Sequence, residues 1–226
     1  MSNEVITDLR LQTPFSMIVT GCSGSGKTQW VRRLCAEQCA LLAEPVQEIV
    51  WCYGVEQPAL HADLRQSQLA KRVTLNKGFS ADFYQRTASL TDCQNNVLLV
   101  LDDLHAQLAN QPILGDLFTK FSHHHNTSVI FTTQNFYHQG SQSRDVSRNA
   151  HYIVLLSQPR DQTVVRSIAR QMFPRQSSYM LDAYTKATSS PFGYLLIDAK
   201  PFTDPRLRLR TGLFGGESDA VYVPSC

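Results

Sequence analysis

The chain has 226 residues, 42% of them hydrophobic, and a formal net charge of +2, which suits one substantial buried core and a single α/β domain over 1–226. No apolar run approaches membrane-spanning length, so no membrane association is expected. Residues 1–10, with Glu4 and Asp8 and no basic stretch leading into an apolar one, read as lacking a secretory signal. The six cysteines (22, 35, 39, 52, 93 and 226) form no CxxC pair, which fits a reduced, intracellular protein and gives metal binding no support.

The small net charge hides an asymmetry. Residues 141–210 hold 11 Lys and Arg against 5 Asp and Glu, a balance of +6, while the rest holds 10 against 14, or −4. The basic half is mostly arginine, whose planar fork suits phosphate. A polyanionic or nucleotide partner and a merely solvated basic face account for this equally well.

Along the chain, the apolar run 15–20 reads as a buried strand, and it is followed at once by Gly21-Cys22-Ser23-Gly24-Ser25-Gly26-Lys27-Thr28. This is GxxxxGKT, which arises by chance in roughly one chain in a hundred of this length. Its glycines let backbone N–H groups turn inward on phosphate oxygens, and the start of the next helix adds a partial positive charge. Lys27 would reach the β- and γ-phosphates of a nucleotide, and Thr28 would hold Mg²⁺. That helix is expected over 27–42, with Val31, Leu34, Cys35, Gln38 and Leu42 on one face.

Further strands are predicted at 48–52, 72–75, 97–101, 128–133, 152–156 and 194–197. Helices are predicted at 58–69, 80–88, 112–122, 161–172 and 177–187. This alternation is the rhythm of a mostly parallel sheet buried on both faces. The strand at 97–101 delivers Asp102 and Asp103 at its carboxyl end. Asp102 suits the Mg²⁺-organising role and Asp103 that of a general base toward an attacking water, although acidic pairs also cap helices. The run His123-His124-His125 reads as an exposed loop, because adjacent residues cannot all face one ion.

The strand at 128–133 ends in Gln134, an amide placed to sense a γ-phosphate or orient water, or simply to turn the chain. The irregular stretch 135–149 follows a strand end, where parallel sheets bind ligands. It carries Arg144 and Arg148, either of which could complete a neighbouring subunit's site or be an ordinary surface residue. In an extended strand Arg206, Arg208 and Arg210 would share one face, tracking a phosphate backbone or a neighbouring subunit, or else protecting an edge strand. Residues 212–226 read as a loosely ordered tail.

Taken together, the loop 21–28, the strand 97–103, Phe131-Thr132-Thr133-Gln134-Asn135, and Arg144-Asp145-Val146-Ser147-Arg148-Asn149 leading to Pro159-Arg160-Asp161 resemble the FtsK/HerA superfamily. Within it, the chain is most similar to the genome-packaging ATPases of large DNA viruses, virophages and Polinton-like elements, and the resemblance extends to Arg206–Thr211. It implies a RecA-like (ASCE) P-loop core with helices on both faces of the sheet. It also implies a homo-oligomeric ring, pentameric or hexameric, that hydrolyses ATP at subunit interfaces. Such a ring drives double-stranded DNA into a capsid at a portal or vertex, in the nucleus or in a cytoplasmic virus factory. By position Arg144, rather than Arg148, matches the arginine that acts on the neighbouring subunit.

Other classes fit less well. A GTPase needs Asn-Lys-x-Asp, and Asn76-Lys77-Gly78-Phe79 lacks the aspartate. A nucleoside or nucleotide kinase with an arginine lid is the main competitor, and a nucleotide-dependent assembly module that does not hydrolyse is a third.

Overall fold

The computed structural model describes residues 8–66, 69–80, 82–83, 85, 96–108, 111–121, 126–134, 136, 146–159 and 161–224. Arg144, Arg160 and the histidine run at 123–125 lie outside them.

Nine strands form one sheet: β1 (Ser16–Thr20), β2 (Glu48–Tyr53), β3 (Arg72–Lys77), β4 (Val97–Asp102), β5 (Thr127–Thr133), β6 (Tyr152–Leu156), β7 (Tyr194–Asp198), β8 (Leu209–Thr211) and β9 (Ala220–Tyr222). Their spatial order is β3-β2-β4-β5-β1-β6-β7-β8-β9. The first six run parallel, and β7, β8 and β9 extend the sheet through antiparallel pairings.

Alternate residues of the central strands feed two cores, as a sheet covered on both faces requires. Ile18, Leu99, Leu101, Phe131, Ile153 and Ile197 point into one. That core is closed by α4 (His105–Leu108), α5 (Pro112–Asp116), α6 (Thr163–Met172) and α7 (Ser177–Ala187). Met17, Val19, Trp51, Val100, Val154 and Leu196 point into the other, under α1 (Lys27–Ala36), α2 (Gln38–Leu41) and α3 (Pro58–Gln66). This is the P-loop NTPase arrangement, a mostly parallel sheet between two helical layers.

Two differences from the sequence reading have local causes. The helix expected over 27–42 breaks at Glu37, whose backbone leaves helical geometry at φ −102°, ψ 15°. The side chain of buried Gln38 accepts from Val46 N–H at 2.7 Å and also donates to the Leu69 carbonyl, so α2 is pinned to its neighbours rather than continuing α1.

The arginines 206, 208 and 210 do not share the face of a strand. Pro205–Leu207 forms a 3₁₀ turn capped by Asp204, Arg208 donates to the carbonyls of Asp198 and Thr203, and Arg210 is buried beside Asp198 at 3.5 Å. Proline at the start of the segment favours the turn, and the buried carboxylate draws Arg210 inward. Lys200, in the same region, donates to Gln12 O at 3.0 Å and to the Tyr152 hydroxyl at 2.8 Å.

Residues 212–224 carry β9 and a ring cluster. Phe214 packs edge-on against Trp30 of α1 (5.3 Å) and Tyr194 of β7 (5.7 Å), and Trp30 meets Tyr194 at 5.5 Å. Arg33, one turn along α1, pairs with Glu217 at 2.5 Å, donates to Gly215 O at 2.7 Å and covers the Phe214 ring.

Candidate functional site

β1, β4 and β5 end at the same edge of the sheet. The parallel register places Thr20 beside Thr133 and Leu101 beside Phe131, so the segments that follow open into one cleft. β5 lies between β1 and β4, and its polar end therefore stands between the glycine-rich loop and the two aspartates. The cleft has a volume of ≈ 350 Å³, and its walls include Gly24, Lys27, Thr28, Asp102, Asp103 and Gln134.

The loop leaves β1 at Gly21, where a side chain has no room: a Cβ there would lie 2.5 Å from Ser25 Oγ and 2.9 Å from Leu156 Cβ. Gly26, with φ 94°, is the N-cap of α1 and provides no side-chain cap, so the first N–H groups of the helix are left for an anion. The buried hydroxyl of Ser25 likewise has no hydrogen-bond partner among the described residues. Lys27 folds back on its own loop, donating from Nζ to the carbonyls of Gly21 and Cys22, each at 2.9 Å. Burial pulls its pKa down, against the opposing pull of Cys22, Asp103 and Asp102.

Thr28 and Asp102 meet across the sheet. The Thr28 hydroxyl donates to Asp102, with Oδ1 at 3.1 Å and Oδ2 at 3.0 Å, and Thr132 donates to Oδ1 at 2.8 Å. Asp102 is buried, and its pKa is raised by loss of solvent, although both hydroxyl bonds favour the ionised form. A hydroxyl and a buried carboxylate converging on one cleft form a donor set suited to Mg²⁺, which takes few protein ligands and fills its shell with phosphate oxygens and water. This is the fit expected of residues that hold Mg²⁺ beside a nucleotide.

Asp103 diverges from its neighbour. Its backbone takes φ 53°, its N–H donates to Thr132 Oγ1 at 3.0 Å, and its side chain is exposed at the cleft. Gly54 makes room for this turn: a Cβ there would stand 2.2 Å from the Asp103 carbonyl oxygen. Gln134, just past β5, is also exposed on the cleft wall.

The structure thus gathers Gly24, Gly26, Lys27, Thr28, Asp102, Asp103 and Gln134 around one space, together with Ser23. Cys22 stands behind the loop, its thiol directed at Ser157 O at 3.4 Å. Arg144 lies outside the described residues, and Arg148 is exposed on the helical turn 146–149. Gln29, Gln57, Thr132 and Phe192, which had no assigned site role in the sequence, also line the cleft. Thr132 had only a weak signal, since Thr127, Ser128 and Thr133 of the same strand carry hydroxyls too.

No protein-family model matches the chain, and no curated protein does. Among solved structures it is similar to the genome packaging NTPase B204 from Sulfolobus turreted icosahedral virus 2, determined in complex with ATP-gammaS. The TM-score is 0.57 at 12% identity, covering 94% of this chain and 98% of that one. EccC (ATPases 2 and 3) of Thermomonospora curvata, in complex with a signal sequence peptide, aligns at TM-score 0.48 and 15% identity, over 82% of this chain and 38% of the other. The likeness to the packaging NTPase is one of fold, spanning nearly the full length of both chains. No helix among the described residues is long and apolar enough to cross a membrane.

Proposed function

We propose that this chain is an ATP-hydrolysing motor of the FtsK/HerA superfamily that moves double-stranded DNA, working as a ring that packages a viral genome into a capsid. The observation that carries the reading is the Thr28–Asp102 contact beneath a cap-free helix start, with Asp103 and Gln134 lining the same cleft. The fold shared with a packaging NTPase and the motif order in the sequence support it.

In this reading the N–H groups of the loop 21–28 and of the start of α1 receive the β- and γ-phosphates. Lys27 gives up its bonds to Gly21 and Cys22 to meet them. Thr28 and Asp102 would hold Mg²⁺, which when bound would supply positive charge against the phosphate oxygens. Gln134 orients a water, and Asp103 accepts its proton as the oxygen attacks the γ-phosphorus and ADP departs. Arg144 of a neighbouring subunit neutralises charge that builds up in the transition state, a contribution of about 10³ or more in rate.

The test is ATP turnover measured alone, with double-stranded DNA, and with nucleoside acceptors. Stimulation by DNA supports the motor. Phosphoryl transfer to a nucleoside without any DNA effect would instead make the protein a kinase.

A further inference from the structure

Phe192 is unusual in both backbone and side chain. It is 70% exposed, and its φ of 62° lies in the left-handed region that favours glycine. It holds the third position of the turn 190–193, which is closed by Gly193 N–H donating to Ser190 O at 3.0 Å, with Pro191 second. Proline second and a positive φ third describe a turn in which glycine is the favoured third residue.

The turn is anchored on both sides. A Cβ on Gly193 would lie 2.4 Å from the Ala187 carbonyl oxygen, so the chain is pressed against the end of α7. Thr188 bonds back to Tyr184 O through both N–H (3.0 Å) and Oγ1 (2.8 Å). A bulky aromatic is therefore held in a strained, solvent-facing position, a combination found at sites where the strain has a use.

Its location suggests that use. Phe192 Cδ1 is 3.0 Å from where a Cβ on Gly26 would stand, with Cε1 at 3.7 Å and Cγ at 3.8 Å. The ring thus lies over the last glycine of the phosphate loop and forms part of the cleft wall beside Gln29. Apart from Phe192, that wall consists of polar side chains and glycines. A nucleoside triphosphate whose phosphates fill the loop still has a flat aromatic base to accommodate, whose face can stack on another ring.

We propose that Phe192 is the base platform of the nucleotide site, stacking on the purine of a nucleoside triphosphate. The proposal rests on the loop 21–28 being a phosphate cradle. Stacking on an aromatic face is commonly worth about 1–3 kcal/mol, which corresponds to a roughly 5- to 150-fold change in affinity.

Equilibrium binding of ATP, CTP and inorganic tripolyphosphate separates the two readings. Phe192→Ala should weaken ATP within that range, reduce any preference for ATP over CTP, and leave tripolyphosphate within about twofold of wild type. Phe192→Trp should retain ATP affinity. Phe192→Gly, which suits the turn, should raise the melting temperature while losing the same ATP affinity.

Unchanged ATP affinity in Phe192→Ala overturns the proposal and points the exposed ring at another molecule. An equal loss for ATP and tripolyphosphate also overturns it, because the ring would then act on the cradle itself. If the wild-type chain binds neither ATP nor tripolyphosphate, the phosphate-cradle reading fails first.

Discussion

Asp102→Asn separates folding from nucleotide binding at a single position. The carboxylate accepts hydrogen bonds from Thr28 and Thr132, and bonds of this kind to a charged group are each worth about 1.5–3 kcal/mol. Against them stands the cost of keeping a buried carboxylate ionised, typically several kcal/mol. Both hydroxyls can also accept, so an asparagine amide finds partners in the same place, and the two effects should cancel to within about 1–2 kcal/mol. The ligand-free variant should therefore melt close to wild type.

Binding should behave differently. At 100 times the dissociation constant, a ligand stabilises its protein by ~2.7 kcal/mol. At about 2–4 °C per kcal/mol for a chain of this size, wild type should gain roughly 5–11 °C with ATPγS and Mg²⁺, and less with ATPγS and EDTA. In Asp102→Asn the Mg²⁺-dependent part of the gain should vanish. Thermal melts of both proteins, each with nucleotide plus Mg²⁺ and with nucleotide plus EDTA, give the comparison directly. A variant that keeps the full Mg²⁺-dependent shift would refute the assignment of Asp102, and one that melts far below wild type without ligand would refute the balance of terms.

Other outcomes follow from the same structure. If Asp103, which lines the cleft, accepts the proton of the attacking water, Asp103→Asn should bind ATPγS like wild type yet lose on the order of 10²-fold or more in turnover, as read by phosphate release. Mixing Asp103→Asn subunits with Arg144→Ala subunits should restore part of the lost turnover if the arginine acts across an interface, and no rescue at any ratio would argue for a role within one subunit. Arg210→Met removes the ion-pair partner of buried Asp198, leaving only the charge of Lys200 near it, and should cost up to about 3–5 kcal/mol in denaturant unfolding.

Lys200 gives a pH signature. Burial lowers its pKa from 10.5 to about 8, with Arg210 adding to the fall and Asp198 opposing it. Between those values the unfolded chain binds more protons than the folded one, so this contribution to stability grows as pH rises and is lost as pH falls through about 8. Urea midpoints measured from pH 8 to 9.5 should rise more steeply in wild type than in Lys200→Met.

Much of the sheet could be read from the sequence because its strands are long, apolar and punctuated by turns. Val97 to Leu101 has no other plausible fate, and the glycines of 21–28 mark the turn that leaves β1. What escaped depended on contacts between distant residues. β8 and β9 have three residues each, too few for a period to emerge, and alternating arginines suggested a regular strand where Pro205 and the buried Asp198 dictate otherwise. Thr132 acquires its meaning from Asp102, thirty residues earlier. The turn Ser190 to Gly193 is not among the elements predicted from the sequence, and nothing local says that its phenylalanine will lie over Gly26.

The ring cluster of Trp30, Tyr194 and Phe214 has a mechanical consequence. α1 begins at the glycine-rich loop, and within two turns it is clasped by the antiparallel ribbon through Phe214, Gly215 and Glu217. The ribbon is in turn hydrogen-bonded to β7, where the Tyr194 hydroxyl donates to Glu217 at 2.9 Å. A load hung on that ribbon would be shared between a strand and the helix that heads the loop, so tension arriving from outside would reach the glycines by way of α1 without first crossing the parallel sheet.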